Sequence, residues 1–218
     1  MRAFGLRTQT DADAWRLLDP PPKEWYFTAI TRRPGVEAGA LANARGMVCD
    51  AWSRLDLGPL GFERRHAEPW FFRPSGPLPP QAAPPELEIL PATMPQELAE
   101  FEAVSVRGFE AEDAKVDMGT VHPAAVLADP RMTSWIGRVG GRPVAAAMSY
   151  ESEGAVGIFG VTTVVSARHR GYGTAMARAA ILSESGLPST LSPSPEAEGL
   201  YRRLGFRPVG RLQTWWRS

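Results

Sequence analysis

Residues Arg168-His169-Arg170-Gly171-Tyr172-Gly173-Thr174-Ala175 decide how this chain is read. They follow a β-branched run, Val161-Thr162-Thr163-Val164-Val165. They open a segment, Gly171 to Ser185, in which Ala175, Met176, Ala179, Ile181 and Leu182 recur at helical spacing. The expected unit is strand, tight turn, helix. Two glycines let the backbone turn sharply and come close to a ligand. The first amide N–H groups of a helix have no internal acceptor, and the helix dipole favours negative charge beside them. A pyrophosphate suits that corner. Two other phosphate loops do not fit. Met176 stands where the dinucleotide fingerprint G-x-G-x-x-G needs its last glycine, and the Gly-Lys-Ser/Thr of a P-loop is missing.

Working outward, the C-terminal part alternates. Leu87 to Leu90 reads as a strand, Gln96 to Val106 as a helix and Val121 to Leu127 as a short helix. Trp135 to Val139 and Pro143 to Tyr150 read as strands joined by Gly140-Gly141, a hairpin turn that tolerates positive φ. Strands at Ala155 to Val165, Ser189 to Ser192 and Val209 to Trp216 and a helix at Glu196 to Leu204 complete an α/β order β-α-α-β-β-β-α-β-α-β. That order predicts a central mixed sheet flanked by helices. Upstream, the proline-rich stretch 74–85 reads as an extended linker. It separates an N-terminal α/β subdomain, 1–73, from a larger domain, 86–218. In the N-terminal subdomain Trp25 to Thr31 reads as a strand. Glu37 to Leu55 reads as a helix with Leu41, Ala44, Val48, Trp52 and Leu55 on one face. Leu60-Gly61-Phe62 recurs as Leu204-Gly205-Phe206, and Phe71-Phe72-Arg73 as Trp215-Trp216-Arg217, both 144 positions apart (204 − 60). A diverged half-repeat of the larger domain accounts for both.

The chain has 218 residues, 44% hydrophobic and 22% charged, with 24 basic against 24 acidic side chains. Zero net charge argues against a general attraction to nucleic acid or an anionic membrane. No segment reaches the roughly 18–20 apolar residues of a membrane span. The opening Met1-Arg-Ala-Phe-Gly-Leu-Arg7 lacks the apolar core of a secretion signal, and the expected compartment is the cytoplasm. Cys49 is the single cysteine, which excludes an internal disulfide and a cysteine metal cage. No metal site is expected. Cys49 falls in the apolar helical stretch, where a buried inert thiol is the expectation.

The turn meets Arg/Gln-x-x-Gly-x-Gly/Ala through Arg168, Gly171 and Gly173, and a second block runs from Ser194 through Tyr201 to Leu204-Gly205-Phe206. On these two blocks, in this order, residues from about Leu87 to Ser218 resemble the GNAT superfamily of acyl-CoA-dependent N-acetyltransferases. The resemblance implies acetyl-CoA as cofactor. It implies that Val161, Thr162, Thr163 and Val164 pair with the pantetheine arm, the Val164 amide steadying the oxyanion of the thioester. Amides of His169, Arg170, Gly171, Tyr172, Gly173 and Thr174 would hold the pyrophosphate, with the Arg168 and Arg170 side chains adding charge. Tyr201 would be the general acid for the leaving thiolate.

No general base emerges. The strand before the turn has no carboxylate; Glu151 and Glu153 at the end of the preceding strand, and Ser194, are the nearest alternatives, and each has a plain structural role available as hairpin or helix cap. His122 precedes Pro123 at a helix start. The acidic stretch Glu110 to Asp117 lies where the family builds part of its acceptor pocket; a solvated loop is its default reading. The expected reaction is transfer of acetyl from acetyl-CoA to a primary amine of a small molecule. The alternatives are a protein or peptide N-acetyltransferase and a catalytically silent acyl-CoA sensor. In a third reading the N-terminal part serves as an interaction or homodimer surface through Trp15, Trp25, Trp52 and Trp70, although core is the expected fate of most of them.

Overall fold

The computed structural model describes residues 4–218; the reading of the first three residues lies outside them. The chain forms two compact units. Unit 1 comprises residues 4–71 with Ser192–Ser194 and Pro208–Ser218, and unit 2 comprises Phe72–Leu191 with Pro195–Arg207. The last eleven residues therefore group with the N-terminal part instead of staying in a continuous 86–218 domain.

Unit 2 is built on five strands: β6 (Leu87–Pro91), β7 (Met132–Val139), β8 (Arg142–Ser152), β9 (Ala155–Thr163) and β10 (Ser189–Leu191). They lie in the order β10-β9-β8-β7-β6, with β10 parallel to β9 and the rest antiparallel, a mixed sheet. Gly140 and Gly141 (φ 55° and 78°) turn β7 into β8, as the sequence predicts. Helix α1 (Pro95–Phe109) covers one face and α2 (Tyr172–Leu182) the other. Adjacent side chains of a strand point to opposite faces. Thr162 packs against Gly108 of α1, and Thr163 faces Gly173 of α2. The phase of α2 differs from the sequence reading. Tyr172, Ala175, Met176, Ala177, Ala180 and Ile181 are buried, whereas Leu182 is half exposed. The expected helix at Val121–Leu127 is a shorter 3-10 turn, Ala124–Ala128. α3 (Glu198–Arg203) closes the unit, and its N-cap is Ala197 rather than Ser194.

Unit 1 holds β1 (Thr8–Thr10), β2 (Ala14–Leu17), β3 (Phe27–Thr31), β4 (Gly46–Asp50), most of β5 (Glu63–Arg73) and most of β11 (Arg207–Arg217). The helix expected over Glu37–Leu55 does not form. A four-residue 3-10 turn, Ala38–Leu41, is followed by β4, which runs parallel to β3 and antiparallel to β11. Gly46 explains the break. It sits at φ 74°, and the Thr28 hydroxyl donates to the Arg45 and Met47 carbonyls on either side of it. Cys49 is thus on a strand, still buried, and burial together with Asp50 and Glu68 pushes its thiol up to about 12. The core of this unit is Ala14, Ala29, Leu41, Val48, Leu57, Phe62 and Trp215. None of Trp15, Trp25, Trp52 and Trp70 is fully buried, and Trp25 stacks on Tyr26 with its ring largely in solvent.

Candidate active site

Strand β9 is a partnered strand on one edge and an open one on the other. Its paired register with β10 covers Val156 and Gly157 and stops there among the described residues. Toward β8, the Val164 amide just past the strand donates to the Val144 carbonyl at 3.0 Å. Antiparallel ladders alternate, so Thr162, two residues earlier and opposite Ala146, also faces β8. Thr163 then turns its main-chain groups to the open edge, and Val161 adjoins the register shift at Gly160. The Thr163 carbonyl confirms that direction by accepting from Arg168 Nε at 3.2 Å instead of from β8. The expected assignment of the oxyanion donor to Val164 is therefore corrected: its N–H is already committed within the sheet, and Thr162 is likewise turned inward. A register shift near Gly160, at φ 59°, sets this parity.

From the end of β9 the chain passes through a 3-10 turn, Val165–Ala167, into the glycine turn. His169 (φ 62°) and Gly171 (φ 82°) are both left-handed, flanking Arg170. Alternation of this kind turns successive N–H groups into one concavity, an anion nest. Gly171 is the N-cap of α2, whose intrahelical bonding begins when Ala175 N–H donates to Gly171 O. The amides of Tyr172, Gly173 and Thr174 are the unclaimed donors of the first turn. The Tyr172 phenol is committed elsewhere: it is buried and donates to Glu86 at 2.7 Å, a bond that raises its pKa. Arg170 is exposed, and its guanidinium engages the Tyr172 phenol near the Glu86 carboxylate, which keeps a positive charge beside the turn.

Tyr201 lies on α3 in the same unit, buried, edge-on to Phe206 at 5.7 Å between ring centroids. Burial pushes its phenol up to about 12. Its hydroxyl makes no hydrogen bond to another described residue and is not one of the fully enclosed unpartnered polar atoms, so it is a protonated donor still open to an incoming acceptor.

The other sequence candidates fall away from this corner. Glu151 and Glu153 sit at the Ser152–Ala155 hairpin, whereas the turn lies beyond the Val144 end of β8, about 25 Å along the strand. His122 stacks edge-on against Phe101 at 4.9 Å, and burial lowers its pKa. Sequence reasoning missed two residues around the site. Buried Glu102 of α1 accepts from the amides of Gly119, Val121 and His122 at 2.5, 2.7 and 3.1 Å, fixing the loop that follows the helix. Glu112, within the acidic stretch read as a solvated loop, accepts from Ser166 N at 3.0 Å and from its hydroxyl. These bonds hold the Glu112 carboxyl below its usual range. Glu102 beside Phe101 and Val104, on the apolar side of the expected helix, was the available signal for the first; nothing local marks the second. Among the described residues no group of three or more His, Cys, Asp or Glu could hold a metal ion, and no helix is long and apolar enough to cross a membrane.

Similar folds are found in a GCN5-related N-acetyltransferase from Kribbella flavida (TM-score 0.70, 19% identity, 96% of this chain and 88% of that one). A putative GNAT-family acetyltransferase from Novosphingobium aromaticivorans has TM-score 0.62 and 20% identity, covering 97% and 91%. A functionally unknown conserved protein from Staphylococcus epidermidis has TM-score 0.64 and 12% identity, covering 95% and 91%. At these identities the likeness is one of fold. No curated protein matches the chain in sequence. The family model for the acetyltransferase (GNAT) family, however, matches residues 96–206, more than half of the chain, and spans α1, β9, the glycine turn, α2 and α3. This protein belongs to the GNAT acetyltransferase family, a family of transferases.

Proposed function

We propose that unit 2 transfers an acetyl group from acetyl-CoA to a primary amine of a small molecule. The observation that carries this is the open edge of β9, Val161 to Thr163, running directly into a turn whose free amides converge at the start of α2. A pantetheine arm would add to that edge as a half-strand, and the diphosphate would occupy the nest. A Cβ at Gly173 would make an ordinary 3.7 Å contact with Thr163 Oγ1, so packing inside the protein does not require glycine there; close approach of a phosphate does.

In this reading the neutral amine attacks the thioester carbon, the C–N bond forms and the C–S bond breaks. The open-edge amide of Thr163 stabilises the developing oxyanion. Tyr201 hydrogen-bonds the departing sulfur. With its phenol near 12, outright proton transfer to a thiolate of ordinary thiol pKa (~8.5) is uphill by roughly 5 kcal/mol. Tyr201 therefore acts as a charge-stabilising donor, and the thiolate takes the proton that the attacking nitrogen, cationic once its C–N bond has formed, must shed to leave the neutral amide. Acetyl-CoA should raise the melting temperature, and thiol release across a panel of amines then tests turnover. Stabilisation without release from any amine favours the silent-sensor reading; release with peptides alone favours a peptide acceptor.

We also infer that residues 1–73 are a half-repeat. In unit 1 Arg217 donates to the Leu60 carbonyl at 2.7 Å beside left-handed Gly61, and in unit 2 Arg73 donates to the Leu204 carbonyl at 3.0 Å beside left-handed Gly205. The same 144-residue offset relates all three pairs. Parallel β3 and β4 are joined by the four-residue turn Ala38–Leu41, where β9 and β10 have the eleven-residue α2. The repeat therefore has no second phosphate helix, and titration should find one coenzyme per chain.

A further inference from the structure

The geometry points to Arg168 as a positioning residue whose guanidinium splints the C-terminus of α1 to the end of β9 and so aims the Thr163 amide at the pantetheine edge; this rests on the acetyl-CoA reading above. The sequence motif invites a different role, that of a cation on the diphosphate. The side chain is turned elsewhere. Its Nε donates to the Thr163 carbonyl at 3.2 Å and its Nη2 to the Gly108 carbonyl at 2.8 Å. Parallel donors of a rigid guanidinium edge match two acceptors that an ammonium would serve less well.

Both acceptors need such a donor. Gly108 is the penultimate residue of α1, so its carbonyl is among the last four without an intrahelical partner and lies at the negative end of the helix dipole. The Thr163 carbonyl faces the open edge of β9, where the sheet supplies it no donor. The two carbonyls come within reach of one side chain because Gly108 lies directly on Thr162, too close for any Cβ. Glu112 fixes the loop after α1 to Ser166, two residues before Arg168, so the helix end is tied to this segment at two points. N–H and C=O of one strand residue point the same way. Holding the Thr163 carbonyl therefore also holds its amide, the group proposed to meet the pantetheine arm or the thioester oxygen.

The two roles separate on fragments of the cofactor. S-acetylpantetheine carries no phosphate, and the phosphoadenosine diphosphate half carries no pantetheine; each is titrated by NMR against wild type, Arg168→Met and Arg168→Lys. Loss of one charge-assisted hydrogen bond corresponds to about a tenfold weakening. That loss is expected for S-acetylpantetheine with both variants, with the nucleotide half binding as to wild type. An equal or larger loss for the nucleotide half, or full recovery of S-acetylpantetheine binding by Arg168→Lys, overturns the positioning role. Thermal melts identify a variant that does not fold; Arg168→Gln, which keeps a neutral donor, then replaces it and is read the same way. Wild type binding neither fragment would sink the acetyl-CoA reading itself, a distinct result from wild type and variants binding both alike, which would remove Arg168 alone.

Discussion

Gly108→Ala should destabilise the protein although it places a better helix former in a helix. An alanine Cβ there would lie 2.2 Å from Thr162 Oγ1, 2.8 Å from Cγ2 and 3.1 Å from Cβ. All three atoms belong to one buried β-branched side chain, which is stiff about χ1 and cannot swing clear without disturbing β9. Overpacking of this kind costs roughly 1–3 kcal/mol. Helix propensity returns at most about 1 kcal/mol, and less at a penultimate position. The net effect is a loss of about 1–2 kcal/mol, with the clash winning. Thr162→Ala removes the two closest atoms and leaves the 3.1 Å contact, so in that background Gly108→Ala should be near neutral. The coupling in a double-mutant cycle should be on the order of 1–2 kcal/mol. Urea unfolding midpoints at constant m measure it. A Gly108→Ala protein as stable as wild type, or one whose loss persists in the Thr162→Ala background, would refute the argument that α1 is seated on β9 by the absence of a side chain.

Tyr201→Phe should lower kcat by about 10- to 100-fold, the value of a hydrogen bond to a charged sulfur, and leave acetyl-CoA affinity and Tm unchanged because the hydroxyl has no protein partner to orphan; unchanged kcat removes Tyr201 from the chemistry. Glu102→Ala strips three part-buried amides of their acceptor and should cost about 1–3 kcal/mol, with faster hydrogen exchange at Gly119, Val121 and His122; exchange at wild-type rates there would dismiss the loop-fixing role. Cys49, raised from 9.0 to about 12, should resist alkylation in the native state. Its sign is that of a group protonated longer when folded: the unfolded chain loses this proton near pH 9 and the folded one near 12, so stability falls across that window by an order of a few kcal/mol. Cys49→Ala should flatten that fall in a pH series of urea midpoints; an identical slope would refute it.

The glycine turn, the helix it opens, the Gly140-Gly141 hairpin and the alternation of elements from Leu87 onward were determined by local pattern. Each depends on spacing within a few residues, which a sequence displays directly. What only the tertiary structure decided is non-local. Glu37 to Leu55 carries apolar residues at helical spacing, yet a left-handed Gly46 and strand partners on both sides make Met47 to Cys49 a strand. Which β9 amides face outward depends on pairing with β8 and on one irregularity near Gly160, and a single-residue change of parity moves the free donor from Val164 to Thr163. Arg168 has the residue type of a phosphate ligand, but its partner is a helix-end carbonyl 60 residues away, brought within reach only when Gly108 settles on Thr162.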